Sequence, residues 1–200
     1  QGRVYRATRR DNVWTDHDEA TFLAQAPRHL QLALLLALWT GQRQGDLLRL
    51  SWSDYDGDVI RLKQRKTRAR VAIPVGAPLR AALETLAIHT GDSETILTTE
   101  AGRAWTESGF RASWRKACAK AGIADVTFHD LRGTAVTRLA MAGCNEAEIA
   151  TITGHSLRDV GAILDGHYLK RDHSLAVSAI KKLEARAGFP TFFPTKAERT

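Results

Sequence analysis

The stretch Asp56-Gly57-Asp58-Val59-Ile60-Arg61-Leu62-Lys63-Gln64-Arg65-Lys66-Thr67-Arg68-Ala69-Arg70-Val71-Ala72-Ile73-Pro74-Val75 decides the fold. On either side of it the apolar residues recur at helical spacing, and within it the period falls to two. Asp56-Gly57 is a tight-turn signal. Ile60 and Leu62 alternate with Arg61, Lys63 and Arg65, and Val71, Ile73 and Val75 alternate in the same way. Successive side chains of a strand point to opposite faces, so one face of this unit is apolar and the other basic. Lys66-Thr67-Arg68 forms a basic tip between the two runs. The expected fold class is mainly α with a small antiparallel three-stranded β-sheet (α+β).

Outward from this hairpin the pattern is helical. Residues 1–14 are polar and basic and read as an arm or linker. Thr15 with Asp18 is a capping box that opens a helix. Pro27 suits the first turn of the next, Arg28 to Trp39, whose Leu30, Leu32, Leu34, Leu35, Leu36 and Leu38 place it at the centre of the core. Thr40-Gly41 breaks it, and a short helix with Leu47, Leu48 and Leu50 follows. Beyond the hairpin, helices are expected over 78–89, 106–121, 129–142, 145–153 and 172–187. Asn145 with Glu148 caps the fourth of these, and Gly154 stops it. The expected domain spans 15–187, with 188–200 as a C-terminal tail or docking segment.

Composition bounds the function. Of 200 residues, 44% are hydrophobic, enough for the core of one large domain or two small ones. Lys and Arg outnumber Asp and Glu by 29 to 22, a net charge of +7. That excess favours a polyanionic partner, nucleic acid or a membrane surface. No apolar run is long enough to span a bilayer and no signal peptide opens the chain; a cytoplasmic location is expected, nucleoid-associated if the polyanion is DNA. Cys118 and Cys144 have no metal-ligand spacing and read as small buried thiols in a reducing compartment; no metal or cofactor is expected.

Polar residues that folding does not require gather in a few places. Arg43 follows the most apolar helix at a break with two glycines, Gly41 and Gly45. Its planar, permanently charged fork suits two phosphate oxygens; the competing reading is an Arg43–Asp46 ion pair at a helix start. Arg61, Lys63, Arg65, Lys66, Arg68 and Arg70 form a basic hairpin shaped to enter a DNA groove, or simply a solvated strand face. His129 and Arg132 stand three apart, so on a helix they share a face and offer one proton carrier and one fixed cation. Of Tyr5, Tyr55 and Tyr168, only Tyr168 has histidines, His155 and His167, and a Lys170-Arg171 pair around it. A phenol, with a free pKa of about 10, needs such a setting to act as a nucleophile.

These segments, in this order, resemble the tyrosine recombinases of the phage integrase family. Thr40-Gly41-Gln42-Arg43 matches the family's Thr-Gly-x-Arg. Lys66-Thr67 ahead of Val71-Ala72-Ile73-Pro74 matches its hairpin lysine. His129-Asp130-Leu131-Arg132 matches His-x-Leu-Arg, Gly154-His155-Ser156 matches Gly-His-Ser, and Tyr168 closes the order. The resemblance covers about residues 12 to 185. His155 and Tyr168 are 13 positions apart, an interval longer than the family usually shows, with Arg158 to Asp165 holding the extra length.

The resemblance implies a tyrosine recombinase catalytic-domain fold and site-specific DNA recombination or integration. Strand cleavage would pass through a 3′-phosphotyrosyl intermediate. The implied catalytic residues are Arg43, Lys66, His129, Arg132, His155 and the nucleophile Tyr168; Arg61, Lys63, Arg65, Arg68 and Arg70 would hold DNA. Double-stranded DNA is the implied partner, with a homotetramer on DNA and a monomer or weak oligomer without it. The family's N-terminal core-binding domain is not found in this sequence. Two other readings stand beside it. A type IB topoisomerase would relax DNA with the same tyrosine chemistry. A non-catalytic DNA-binding module would use a helix-turn-helix around Gly143-Cys144-Asn145, leaving Arg43, Lys66 and Tyr168 without a role.

Overall fold

In the computed structural model, residues 12–87, 93–167 and 173–185 are described. Thr15 accepts from the Asp18 amide and Asp18 returns the bond, and this capping box opens α1 (Asp16–Gln25). α2 (Arg28–Thr40) follows at once. Its Leu30, Leu32, Ala33, Leu34, Leu36 and Ala37 are all buried, so it is wrapped nearly all round. It packs against α4 (Ala77–Ala87) and α6 (Asp130–Met141). Gly41 ends it in the left-handed region at φ 62°, a conformation glycine adopts without steric cost. α3 (Gln44–Leu47) is a single turn.

α5 (Glu107–Lys120) closes the main core with aromatic rings. Trp114 lies 4.4 Å from Phe22 and 4.7 Å edge-on from Phe128, centroid to centroid, and Phe110 meets Phe128 edge-on at 5.0 Å. Such pairs add about 0.5–1.5 kcal/mol each beyond the area they bury.

The hairpin forms as expected from its period. β1 (Val59–Lys63) pairs antiparallel with β2 (Arg70–Pro74), from Val59↔Pro74 to Lys63↔Arg70. Ile60, Val71 and Ile73 point inward, while Arg61, Lys63 and Arg70 are exposed. The sheet has two strands among the described residues, not three. Ahead of β1 the chain forms a capped 3-10 turn, Trp52–Asp54, in which Ser51 and Asp54 exchange bonds. On either side of that turn the pairing is reduced to isolated antiparallel bridges, Ser51↔Thr95 and Tyr55↔Ile60.

A second apolar cluster joins α6, α7 (Glu146–Thr153) and α8 (Leu157–His167) through Val136, Ala140, Ile149, Val160 and Leu164. α8 was not expected. The residues read as extra length between His155 and Tyr168 are this helix, started by Ser156, whose hydroxyl accepts from the Asp159 amide at 3.1 Å. Its local signal is the Ser156–Asp159 cap followed by Leu157, Val160, Ile163 and Leu164 at helical spacing, and Gly161 and Gly166, both poor helix formers, interrupt that pattern.

By contact the chain divides into two units, residues 1–168 and 169–200. In the second, α9 (His173–Glu184) is the described helix, and its Val177, Ile180 and Leu183 are exposed. No helix among the described residues is long and apolar enough to cross a membrane.

Candidate active site

Two helix ends and a third helix meet at Arg132. Gly41 ends α2, Gly154 ends α7 at φ 66°, and α6 passes between them carrying Arg132. Arg132 is only 5% exposed. Its Nη1 donates to the Gly41 carbonyl and to the Thr153 carbonyl, the latter at 2.9 Å. Its Nη2 is buried with no hydrogen-bond partner, and no ion pair to it exists among the described residues. Burial first, and then the cation of Arg43, push its pKa down to about 9, so it is still charged at neutral pH.

Arg43 sits at the N-cap of α3, half-buried. It does not pair with Asp46. The Asp46 Oδ1 accepts instead from Arg49 Nη2 and from the Arg65 amide, each at 2.9 Å. Asp46 therefore anchors the hairpin to α3, and Arg43 has no carboxylate partner among the described residues. Arg43 Nη1 donates to Gln64 Oε1 at 3.1 Å, a neutral partner that orients the fork without cancelling its charge.

His155, in the turn after Gly154, is half-buried, with Nδ1 2.8 Å from the Thr153 hydroxyl. Burial and the nearby Arg132 and Arg43 push its pKa down to about 4, which makes it neutral at pH 7. His129 also contributes to this field. It occupies the N-cap of α6, three positions ahead of Arg132, and is exposed while Arg132 is buried. Between them Asp130 accepts from the Thr127 amide and hydroxyl at 2.7 and 2.8 Å, a bond set that holds the helix start.

Lys66 lies at the exposed hairpin tip. It lines a cleft of about 380 Å³ together with Arg43, Gly45, Asp46, Arg49, Arg65 and Glu107. Lys63 faces a different hollow, beside Asp54 and Leu62. Arg61, Lys63, Arg65, Arg68 and Arg70 are all exposed, though Arg61 is paired with Asp56. Arg43, Arg132, His129 and His155 thus share one electrostatic neighbourhood, and Lys66 reaches it through the Arg43 cleft. Tyr168 lies outside the described residues.

Sequence reasoning missed the residues that hold this group together. Gln64 is fully buried. Its amide donates to Gln42 Oε1 at 2.7 Å and to the Thr153 carbonyl at 2.8 Å, and it accepts from Arg43 and from the Thr67 hydroxyl. Gln42 in turn donates to the carbonyls of Thr40 and Ile152. Gln64 interrupts a strand's charged face, and Gln42 sits inside the Thr-Gly-x-Arg segment; neither composition nor spacing marks them as buried.

The profile of the phage integrase family matches residues 14–160. The shufflon-specific DNA recombinase of Escherichia coli is 32% identical over 155 residues, 76% of this chain and 36% of its own length. The integrase of Mycobacterium phage FRAT1 is 28% identical over 151 residues, 64% of this chain and 45% of its own. The chain therefore spans less than half the length of these relatives. Among solved structures, the lambda integrase catalytic core superposes with a TM-score of 0.63 at 25% identity, over 72% of this chain and 91% of that one. A lambda integrase tetramer bound to a Holliday junction matches with a TM-score of 0.64 at 25% identity, over 78% and 50%.

Proposed function

This chain belongs to the phage integrase family, and from that premise we propose that it cleaves and rejoins DNA strands in site-specific recombination. The observation that carries the proposal is Arg132 beside Arg43, buried, with Nη2 unpartnered and no ion pair among the described residues. A buried cation without a carboxylate is costly, and a bound anion relieves that cost. Two guanidinium forks at one point suit the non-bridging oxygens of a phosphodiester, whose charge grows in the pentavalent transition state.

Tyr168 attacks the phosphorus and the 5′-oxygen departs, leaving a 3′-phosphotyrosyl bond. That bond retains the energy of the diester, so rejoining needs no nucleotide triphosphate. Lys66 protonates the leaving 5′-oxygen, His129 assists proton removal from Tyr168, and His155 contacts the phosphate. The exposed basic side chains of the hairpin hold the DNA backbone. As with the lambda integrase tetramer on its junction, the working form is a tetramer on double-stranded DNA, with a monomer or weak oligomer in its absence.

Trapping on a nicked DNA substrate tests this directly. A covalent adduct is expected, with the modified peptide containing Tyr168. Tyr168→Phe is expected to abolish the adduct and leave DNA binding nearly intact. An adduct that survives the substitution, or that maps elsewhere, would refute the nucleophile.

A further inference from the structure

Thr153, the last residue of α7, is fully buried, and each of its groups is in use. Its methyl closes on Gly41, where an added Cβ would come within 2.7 Å of it. Its carbonyl accepts from Gln64 Nε2 and Arg132 Nη1. Its hydroxyl lies 2.7 Å from the Ile149 carbonyl and 2.8 Å from His155 Nδ1.

A hydroxyl has one proton to give. Donated to the Ile149 carbonyl, which can only accept, it leaves a lone pair to accept from His155 Nδ1–H, and both contacts are hydrogen bonds. Donated to Nδ1 instead, it would leave two oxygens facing each other at 2.7 Å with no proton between them. In a buried setting an unmade hydrogen bond is expensive, so the first arrangement holds. The other ring nitrogen, Nε2, is then unprotonated, since the tautomer is set by the bond the first one makes.

We propose that Thr153 is a positioning residue that holds His155 in its Nδ1–H tautomer, so that the ring presents an unprotonated Nε2 to the phosphate site and donates to a bound phosphate oxygen only after taking one proton from water. The inference rests on the recombinase reading for the identity of the anion. The groups that face the ring are Arg132 from α6, Arg43 ahead of α3, His129 at the start of α6 and Asp159 from the first turn of α8. Three of these four oppose a charge on the ring, and only Asp159 favours one. A phosphodiester between the two arginines adds a negative charge beside Nε2 and reverses the balance. The proton moves from water to Nε2, and the diester itself is unchanged. DNA engagement is thereby coupled to proton uptake, and cleavage falls as pH rises.

The test uses the whole chain with ¹⁵N-labelled histidine and two-bond proton–nitrogen correlation spectra at neutral pH without DNA. The proton is expected on Nδ1 of His155 in the wild type and in Thr153→Ser. In Thr153→Val, which keeps the shape and loses the acceptor, it is expected to move to Nε2. In single-turnover capture on nicked DNA, the wild type and Thr153→Ser are expected to show the alkaline fall and Thr153→Val to lose it. A wild type protonated on Nε2, or a Thr153→Val tautomer that does not change, would overturn the proposal. An Nδ1–H wild type that forms no adduct at any pH would instead overturn the recombinase reading and leave the tautomer assignment standing.

Discussion

Gln64 shows how much one neutral side chain can organise. Both of its amide protons are donated and its carbonyl oxygen accepts twice, so no other residue type satisfies the same four partners. It joins the hairpin, the Arg43 turn and the end of α7. Gln64→Leu is expected to destabilise the fold by about 1–3 kcal/mol, the cost of leaving buried polar groups unpaired. Urea unfolding reads that loss, and a change within error would show that the network is not buried as described. Arg132→Ala belongs to the same scale. Single-turnover cleavage should slow by at least ~10²-fold, the usual effect of removing one oxyanion-type donor, with a much smaller loss of binding. Equal losses in both would remove the clamp role.

At the scale of the element, the hairpin carries a local strain at its tip. Arg68 has φ 61°, in the left-handed region that costs a residue with a side chain roughly 1–2 kcal/mol. Its amide closes the turn onto the Gln64 carbonyl at 2.9 Å, so the conformation is imposed by the loop. Arg68→Gly is expected to raise stability by up to about 1 kcal/mol and to weaken DNA binding, with the salt slope of the binding constant reduced by about one. A stabilised variant with an unchanged slope would mean that Arg68 does not meet a phosphate. α7 and α8 show the other side of local coding. The Asn145–Glu148 capping box was legible because its partners are three residues apart. α8 carries the same kind of local signal, the Ser156–Asp159 pair ahead of Leu157, Val160, Ile163 and Leu164, and the tertiary structure adds the α6 and α7 surface that holds Val160 and Leu164.

At the scale of the whole molecule, two ionisable groups, buried Glu19 and half-buried His155, set opposing pH dependences. Burial pushes the Glu19 carboxyl up from 4.5 to about 7, against the attraction of Arg138. Between those values the folded chain keeps a proton that the unfolded chain has lost, so stability falls as pH rises through that window. His155 runs the other way. Its pKa falls from 6.5 to about 4, the unfolded chain takes up a proton the folded chain refuses, and stability falls as pH drops through that window. Burial lowers His29 as well, with the same sign. Glu19→Gln leaves the two histidines unopposed. Its thermal midpoint is expected to decline more steeply than that of the wild type as pH is lowered from about 6.5 to about 4.5. Parallel profiles from thermal scans across that range would contradict the assignment of Glu19.

What the sequence determined by itself is what depends on neighbours along the chain. That covers the helical and strand periods, the caps at Thr15 and Asn145, the stops at Gly41 and Gly154, the basic hairpin, and the order of segments that marks the family. Arg43, Lys66, His129, Arg132 and His155 could be named because each stands in a short motif. Only the tertiary structure decided how they are held. It gave Arg43 a bond to Gln64 and not to Asp46, buried Arg132 with no ion pair among the described residues while leaving His129 in solvent, and buried Gln42, Gln64 and Thr153. It also showed two strands in the sheet among the described residues and a helix in the interval after His155. The physical reason is common to all of these. Burial, the loss of a counter-ion and the choice of a hydrogen-bond partner depend on which distant segments meet, and no local period records that.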